Sequence, residues 1–257
     1  MTALVERPRG GVVTTTDWWK VAAILFMLVD HVGLYVFPEE NWWRVIGRAT
    51  APIFFFLVGF ATSRGVPWTW LAFGAILTVI DIAHAESPAE WTVNILFNFA
   101  LIRWTLPHLG AWLSDSRVRL VLLMGLLAGL VPVIGDRIEY GTEGWLWALY
   151  GLYQRRSLER GTMGAASTRN AVAAFAALIY ITTEFFDFGF GLEQAFALAL
   201  LVGVETVLLA GFGREVSRVQ PPTALRPVTG FLGRHTLELY ALHLLAFEAI
   251  VYAVDQS

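Results

Sequence analysis

The stretch WWKVAAILFMLVDHVGLYVF, residues 18–37, is twenty residues long, and apart from Lys20, Asp30 and His31 it holds only apolar, aromatic and glycine residues. A helix of this length rises about 30 Å, the thickness of a bilayer's hydrocarbon core. The whole chain agrees with this setting, because its 257 residues are 56% hydrophobic and 15% charged, with a mean hydropathy of +0.59. The sequence therefore predicts an integral membrane protein.

Apolar segments long enough to cross a membrane recur along the chain, and the polar connections between them alternate between basic and acidic. About nine segments begin near Trp18, Val45, Pro67, Trp91, Val118, Gly144, Asn170, Leu192 and Leu232. The positive-inside rule then predicts a cytoplasmic N-terminus and an external C-terminus. The prediction is an all-α, polytopic helical bundle of about nine transmembrane helices in the bacterial inner membrane. Residues 1–17 would form a cytoplasmic tail and residues 18–257 one transmembrane domain. The short segment after Gly144 is expected to be tilted, re-entrant or accommodated by local thinning of the bilayer.

Composition also excludes several classes of function. The net charge is −3 and Lys20 is the only lysine, so no basic field is available for nucleic acid. The absence of cysteine excludes a cysteine thioester intermediate, a cysteine-ligated metal and any disulfide. We expect no metal site and no permanently bound cofactor.

Asp30 and His31 would lie about 9–11 Å below the outer end of the first helix, counting six or seven residues back from Phe37. Ionisable groups at such depth are expensive and generally serve function, although a polar pair that only locks helix packing is the alternative. Successive helical residues point about 100° apart, so Asp30 needs a partner on another helix. Arg48, at the outer start of the second segment, is the nearest candidate, and it could instead extend to the headgroups.

Further polar residues are candidate substrate or donor contacts. Asn94 could line a cavity or hydrogen-bond across helices. Tyr140, in DRIEYGTEG, lies in a glycine-containing loop typical of a turn or of close approach to a ligand. In the last segment Arg234 and Glu238 are four residues apart and can pair. His243 lies at a depth similar to that of His31, and it could line the same cavity or be a core histidine.

Two blocks carry a resemblance to a known family. VAAILFMLVDHVGLYVFP, followed by WWRVIGRATAPIFFFLVGFATSRG, resembles the opening of the TraX family of F-pilin acetylases. The blocks NILFNFALI, IEYGTEGWL and LGRHTLELYALHLL are similar to later parts of that family. The resemblance implies a transmembrane acyltransferase that uses acetyl-CoA or a related acyl-CoA, with an essential histidine at His31. It does not specify the acceptor.

The chemistry of the residues agrees with that expectation. Acyl transfer from a thioester to an amine or hydroxyl needs a base near neutral pKa, which histidine supplies. Asp30 and Arg48 would set the field around His31, while Arg234 and Arg64 would hold donor phosphates. The expected partners are the bilayer, an acyl-CoA and an unknown acceptor, namely a protein N-terminus, a glycan or a lipid. The alternative is a non-enzymatic membrane protein, either a packing subunit of a larger complex or a proton-coupled carrier.

Overall fold

The described part of the chain is helical in the computed structural model, which describes residues 12–63, 65–85, 87–113, 116–213, 217 and 219–255. The α-helices are α1 (Thr15–Val36), α2 (Asn41–Gly47), α3 (Thr50–Phe60), α4 (Trp68–His84), α5 (Ile95–Leu113), α6 (Arg117–Ile134), α7 (Glu143–Arg160), α8 (Met163–Asp187), α9 (Leu192–Ala210), α10 (Arg226–Arg234) and α11 (Thr236–Asp255). Residues 1–11 of the expected tail, and the charges Arg64, Glu86, Arg214 and Arg218, lie outside the described residues.

The expected membrane segments all coincide with helices, and two of them are divided. The second segment is α2 followed by α3, and the last is α10 followed by α11. Within the described residues, four helical stretches are long and apolar enough to cross a bilayer, namely 15–36, 41–60, 117–134 and 192–210. Many of their outward side chains are exposed and apolar, for example Leu25 on α1, Leu122 on α6 and Val207 on α9. Such faces suit contact with lipid, and the protein is a membrane protein.

Helix α7 is the centre of the bundle, and it packs against α3 and α8. It is a regular helix of 18 residues rather than a short segment, and Leu146 to Tyr153 are all buried. Its low hydropathy has a physical reason, because a helix surrounded by protein can carry Glu143 and Gln154 where a lipid-facing helix could not. Close packing with α3 depends on glycine, since a Cβ on Gly59 or Gly151 would overlap the backbone of the other helix.

The two ends of the bundle are distinguished by chain direction. We call the end where α1, α6, α8 and α11 begin the first end, and the opposite end the second end.

A capping box fixes the start of α1, where Thr14 accepts from the backbone of Asp17 and the Asp17 side chain accepts from the backbone of Thr14. At the second end, the segment around Val93 forms two backbone hydrogen bonds with residues 137–139. This pairing holds Glu139 and Tyr140 against the start of α5.

Candidate functional site

Asp30 forms the centre of a buried ion cluster at the second end. Its Oδ2 accepts from Arg48 Nη2 at 2.5 Å and from Arg44 Nη1 at 2.8 Å. Arg44 Nη1 also donates to the backbone carbonyl of Asp30 at 3.1 Å. The partner expected for Asp30 on the second segment is therefore present, together with a second arginine one helical turn earlier.

Two glycines allow α2 to approach α1 closely enough for this cluster. A Cβ on Gly47 would overlap the Cα and Cβ of Asp30, and a Cβ on Gly33 would overlap the side chain of Trp43. Steric contact with α1 therefore explains why a glycine precedes Arg48. The glycine admits the neighbouring backbone, and the arginine that follows it reaches the carboxylate.

Arg48 is held from several further directions. Its carbonyl accepts from the Tyr180 hydroxyl at 2.7 Å, and its Nη1 lies 3.5 Å from Glu184 Oε2. Its guanidinium carbon lies 4.7 Å from the ring centre of Phe188, within the range of a cation–π contact. Because Arg48 is buried and oriented toward Asp30, it does not extend to headgroups.

His31 and His243 meet at similar depth on α1 and α11. His31 Nδ1 lies 3.0 Å from His243 Nε2 and 2.9 Å from the Met27 carbonyl oxygen. His243 Nδ1 lies 3.0 Å from the Leu239 carbonyl oxygen. Backbone carbonyls only accept, so the geometry assigns a proton to each Nδ1. The single His31 Nδ1 proton is then shared between the Met27 carbonyl oxygen and His243 Nε2, and His31 Nε2 is left unprotonated in the neutral pair.

Aromatic side chains surround the two imidazoles. Tyr35 and Phe247 stack with their ring centres 5.0 Å apart. The His31 ring centre lies 6.3 Å from that of Tyr35 and 6.5 Å from that of Phe247. The aromatic rings of Tyr35 and Phe247 thus place apolar surface beside the His31 imidazole.

Asn94 connects the start of α5 to α11. Its Nδ2 donates to the Tyr240 hydroxyl at 2.9 Å, while its Oδ1 accepts from the Leu96 backbone. The Tyr240 ring centre lies 5.8 Å from that of His243. Asn94 thus hydrogen-bonds across helices and helps to place the turn of α11 that carries His243.

Tyr140 lies in a turn, and its ring faces the ion cluster. Its φ is +58°, in the left-handed region that non-glycine residues seldom occupy. The guanidinium carbon of Arg48 lies 5.8 Å from the centre of the Tyr140 ring. In the same loop, Glu139 Oε2 accepts from the Ile95 backbone at 2.7 Å. Burial raises the pKa of Glu139 to about 7, and the charge of Asp81 adds to this effect.

Arg234 and Glu238 lie toward the first end, away from the two histidines. Both are exposed, and the break between α10 and α11 at His235 separates them. Glu238 Oε2 lies 3.9 Å from His235 Nδ1, so the polar contact shown for Glu238 is with His235 rather than with Arg234. His243 is about 13 Å further along than Arg234, counting nine residues at helical rise. The structure therefore brings Asp30, Arg48, Tyr140, His31, His243 and Asn94 into one region and leaves Arg234 and Glu238 outside it, nearer the first end.

Several members of the cluster could not be found from the sequence segments alone. The sequence does contain a signal for Arg44, because Arg44 precedes Arg48 by four residues and a helix would place both on the same face. Glu184 and Tyr180 are more than 130 residues from Arg48 in sequence, and no local pattern links them to it. Among the described residues, no group of three or more His, Asp or Glu side chains could hold a metal ion.

Comparison with known proteins gives a clear family assignment. The model of the TraX protein family matches residues 15–251, nearly the whole chain. The uncharacterized protein RP591 of Rickettsia prowazekii (strain Madrid E) is 35% identical over 85 residues, which are 33% of this chain and 34% of that protein. This match spans about a third of the relative's length. No solved structure shows a significant match. From the extent of the family match, the chain belongs to the TraX family.

Proposed function

We propose that this protein is a membrane-bound acyltransferase in which His31 is the general base. The observation that carries the proposal is the His31–His243 contact, because its hydrogen bonds leave His31 Nε2 unprotonated and able to take a proton. A base whose second nitrogen is fixed by a third group is the arrangement used to activate nucleophiles in acyl transfer. Membership of the TraX family is consistent with acetylation.

The proposed reaction balances in atoms and protons with the acceptor, the acyl-CoA thioester and His31. An acceptor amine or hydroxyl attacks the thioester carbonyl carbon of an acyl-CoA, such as acetyl-CoA, and its proton passes to His31 Nε2. The carbon–sulfur bond breaks, and the departing thiolate takes that proton back from His31. The His31 imidazolium formed between these steps is stabilised by its Nδ1–H bond to His243 Nε2. The acyl-CoA is a substrate, and no permanently bound cofactor is required.

The remaining site residues position this pair or bind substrate. The Asp30, Arg44 and Arg48 cluster fixes α1 against α2 and so sets the orientation of His31. Tyr140 and Asn94 border the same region and are candidates for contact with the acyl acceptor. Arg234, exposed toward the first end, is a candidate for the donor phosphates, and Glu238 is a candidate substrate contact near the start of α11. The acceptor could be a protein N-terminus, a glycan or a lipid.

The proposed location is the bacterial inner membrane, with the first end in the cytoplasm. The alternation of basic and acidic connections supports this orientation, since Arg155, Arg156 and Arg160 all lie at the first end. An acyl-CoA from the cytoplasm would then have to extend into the bundle to reach His31, which is about 24 Å along α1 from Thr15.

The test is transfer of radiolabel from acetyl-CoA into membrane extract of the native host by the purified protein. Wild type should transfer label, and His31→Ala should reduce transfer about 10²- to 10⁴-fold, the usual contribution of a positioned base. The melting temperature of the variant should stay near that of wild type. Full transfer by His31→Ala would exclude the general-base role. No transfer by wild type would favour a non-enzymatic packing subunit.

A further inference from the structure

Three polar side chains from separate elements converge on the turn that begins α5. Thr78 Oγ1 on α4 accepts from the Asn94 backbone at 3.0 Å. Tyr240 Oη on α11 accepts from Asn94 Nδ2 at 2.9 Å, and Glu139 Oε2 accepts from the Ile95 backbone at 2.7 Å. We call Thr78, Glu139 and Tyr240 the polar subsite. Two consecutive residues, Asn94 and Ile95, hold its three members together.

The direction of these hydrogen bonds leaves the polar subsite with unused groups. Asn94 Oδ1 accepts from the Leu96 backbone at 3.1 Å, so the amide orientation is fixed and Nδ2 must donate to Tyr240. Both hydroxyl oxygens therefore act as acceptors, and each hydroxyl proton is directed away from Asn94. Among the described residues, no group accepts the Thr78 or Tyr240 proton, and none donates to Glu139 Oε1.

The members of the polar subsite are less enclosed than the residue that holds them. Asn94 is 2% exposed, whereas Thr78, Glu139 and Tyr240 are each half-buried. Glu139 Oε1 is not enclosed by the described part of the protein. Fixed donors and acceptors that have no protein partner favour the binding of a complementary polar molecule.

The polar subsite adjoins the histidine pair. Tyr240 precedes His243 by three residues on α11 and so shares its helix face, and their ring centres are 5.8 Å apart. His243 Nε2 in turn lies 3.0 Å from His31 Nδ1. A molecule held by the polar subsite would therefore lie beside the proposed base.

The unused groups select the chemistry of the ligand. A hydroxyl both donates and accepts, so hydroxyls can pair with the Thr78 and Tyr240 protons and with Glu139 Oε1. An ammonium group only donates and would leave both hydroxyl protons unpaired. Burial and the charge of Asp81 raise the pKa of Glu139 to about 7, and the same charge disfavours a phosphate. A hydroxyl can pair with either protonation state of Glu139, so it is complementary across neutral pH.

We infer that the polar subsite binds hydroxyl groups of a sugar or similar polyol, and that this polyol is the acyl acceptor. The second half rests on the proposed acyltransferase function, whereas binding of the polyol does not. Another hydroxyl of the same molecule would face His31. Its oxygen forms the ester bond to the acyl carbon, the carbon–sulfur bond breaks, and its proton passes through His31 Nε2 to the departing thiolate.

The first arm of the test measures binding to the full-length protein in nanodiscs. Saturation-transfer NMR titrations use methyl α-glucoside as the polyol and propylamine as the amine. Wild type should bind the glucoside more tightly than the amine. Thr78→Val and Tyr240→Phe should each weaken glucoside binding about 2- to 10-fold, the usual contribution of one neutral hydrogen bond.

Matched variants separate loss of a ligand contact from loss of structure. Thr78→Ser keeps the hydroxyl and should bind the glucoside like wild type. Thr105→Val makes the same change as Thr78→Val at a half-buried threonine whose hydroxyl already donates to the Leu101 carbonyl at 2.7 Å, so it should also bind like wild type. Glu139→Gln keeps a group that pairs with a hydroxyl and should retain glucoside binding. Melting temperatures check the fold, and if Thr78→Val unfolds, the comparison of the two probes and Glu139→Gln still decide.

The second arm follows label from acetyl-CoA into the same two probes. Labelled glucoside, reduced in Thr78→Val but not in Thr105→Val, supports both the polar subsite and its role in holding the acceptor. Glucoside binding that depends on Thr78, without transfer, would support the subsite and contradict the acyltransferase function. Transfer to propylamine by a protein that does not bind the glucoside would keep the acyltransferase function and overturn the polyol inference. Equal glucoside binding by wild type and Thr78→Val, or loss of binding in Glu139→Gln alone, would also overturn it.

Discussion

Replacing Asp30 by asparagine should destabilise the protein strongly, because two arginines share this one carboxylate. The side chains of Asp30 and Arg48 are each 7% exposed, and that of Arg44 is 14% exposed. Breaking a buried pair leaves an uncompensated charge, which costs about 3–5 kcal/mol. We expect Asp30→Asn to lower the free energy of unfolding by that amount, measured by denaturant titration in mixed micelles with tryptophan fluorescence. Asp136→Asn makes the same chemical change at an exposed loop position and should stay within about 0.5 kcal/mol of wild type.

The partners of Asp30 determine how far a second change can rescue it. Arg48→Gln added to Asp30→Asn removes one unpaired guanidinium and should recover part of the stability. Arg44 would still face a neutral amide, so the triple change with Arg44→Gln should recover more. In a double-mutant cycle, residues in one network couple by about 0.5–3 kcal/mol. Strictly additive losses for Asp30 with both Arg44 and Arg48 would refute the ion cluster.

Three further outcomes follow from the structure. Gly47→Ala should lower the free energy of unfolding by about 1–3 kcal/mol or more, because the new methyl group overlaps Asp30. At Gly125 a methyl group meets open space, so Gly125→Ala should be neutral or stabilising in the same denaturant titration. Equal effects of the two changes would contradict the close approach of α2 to α1. Burial raises the pKa of Glu139 to about 7, so the folded protein holds this proton more tightly than the unfolded chain does. The stabilising contribution of this group is therefore fully present below pH about 4.5 and is lost as the pH rises to 7. Glu139→Gln should reduce the fall in stability over that range, and an unchanged fall would contradict the shifted pKa. Reporter fusions at Gly161, between α7 and α8, and at Gly189, between α8 and α9, should report cytoplasm and exterior respectively, and the same side for both would show that α8 does not cross.

Much of the helical layout could be predicted from local sequence, because long apolar segments and glycines have direct physical consequences. The Asp30–Arg48 pairing could also be predicted, since a buried carboxylate needs a cation and the Gly47–Arg48 step places one at the right depth. The burial of α7 could not be recognised, because hydropathy measures compatibility with lipid and α7 faces protein. The position of Glu184 against Arg48, and the break at His235 that separates Arg234 from Glu238, depend on tertiary packing that no short segment encodes.

The central claim is that His31 is the base and that His243 positions it, and a double-mutant cycle on the rate of acyl transfer tests it most directly. His31→Gln keeps a hydrogen-bonding side chain but removes the titratable nitrogen, so it should lose about 10²- to 10⁴-fold in rate. His243→Ala alone should lose less and should shift the pH dependence of the remaining activity, because His31 Nδ1 loses one of its two acceptors and keeps only the Met27 carbonyl oxygen. In the His31→Gln background, His243→Ala should have almost no further effect, since a positioning residue acts only through the group that it positions. Rates that multiply independently in the double variant, or full activity in His31→Gln, would contradict the account.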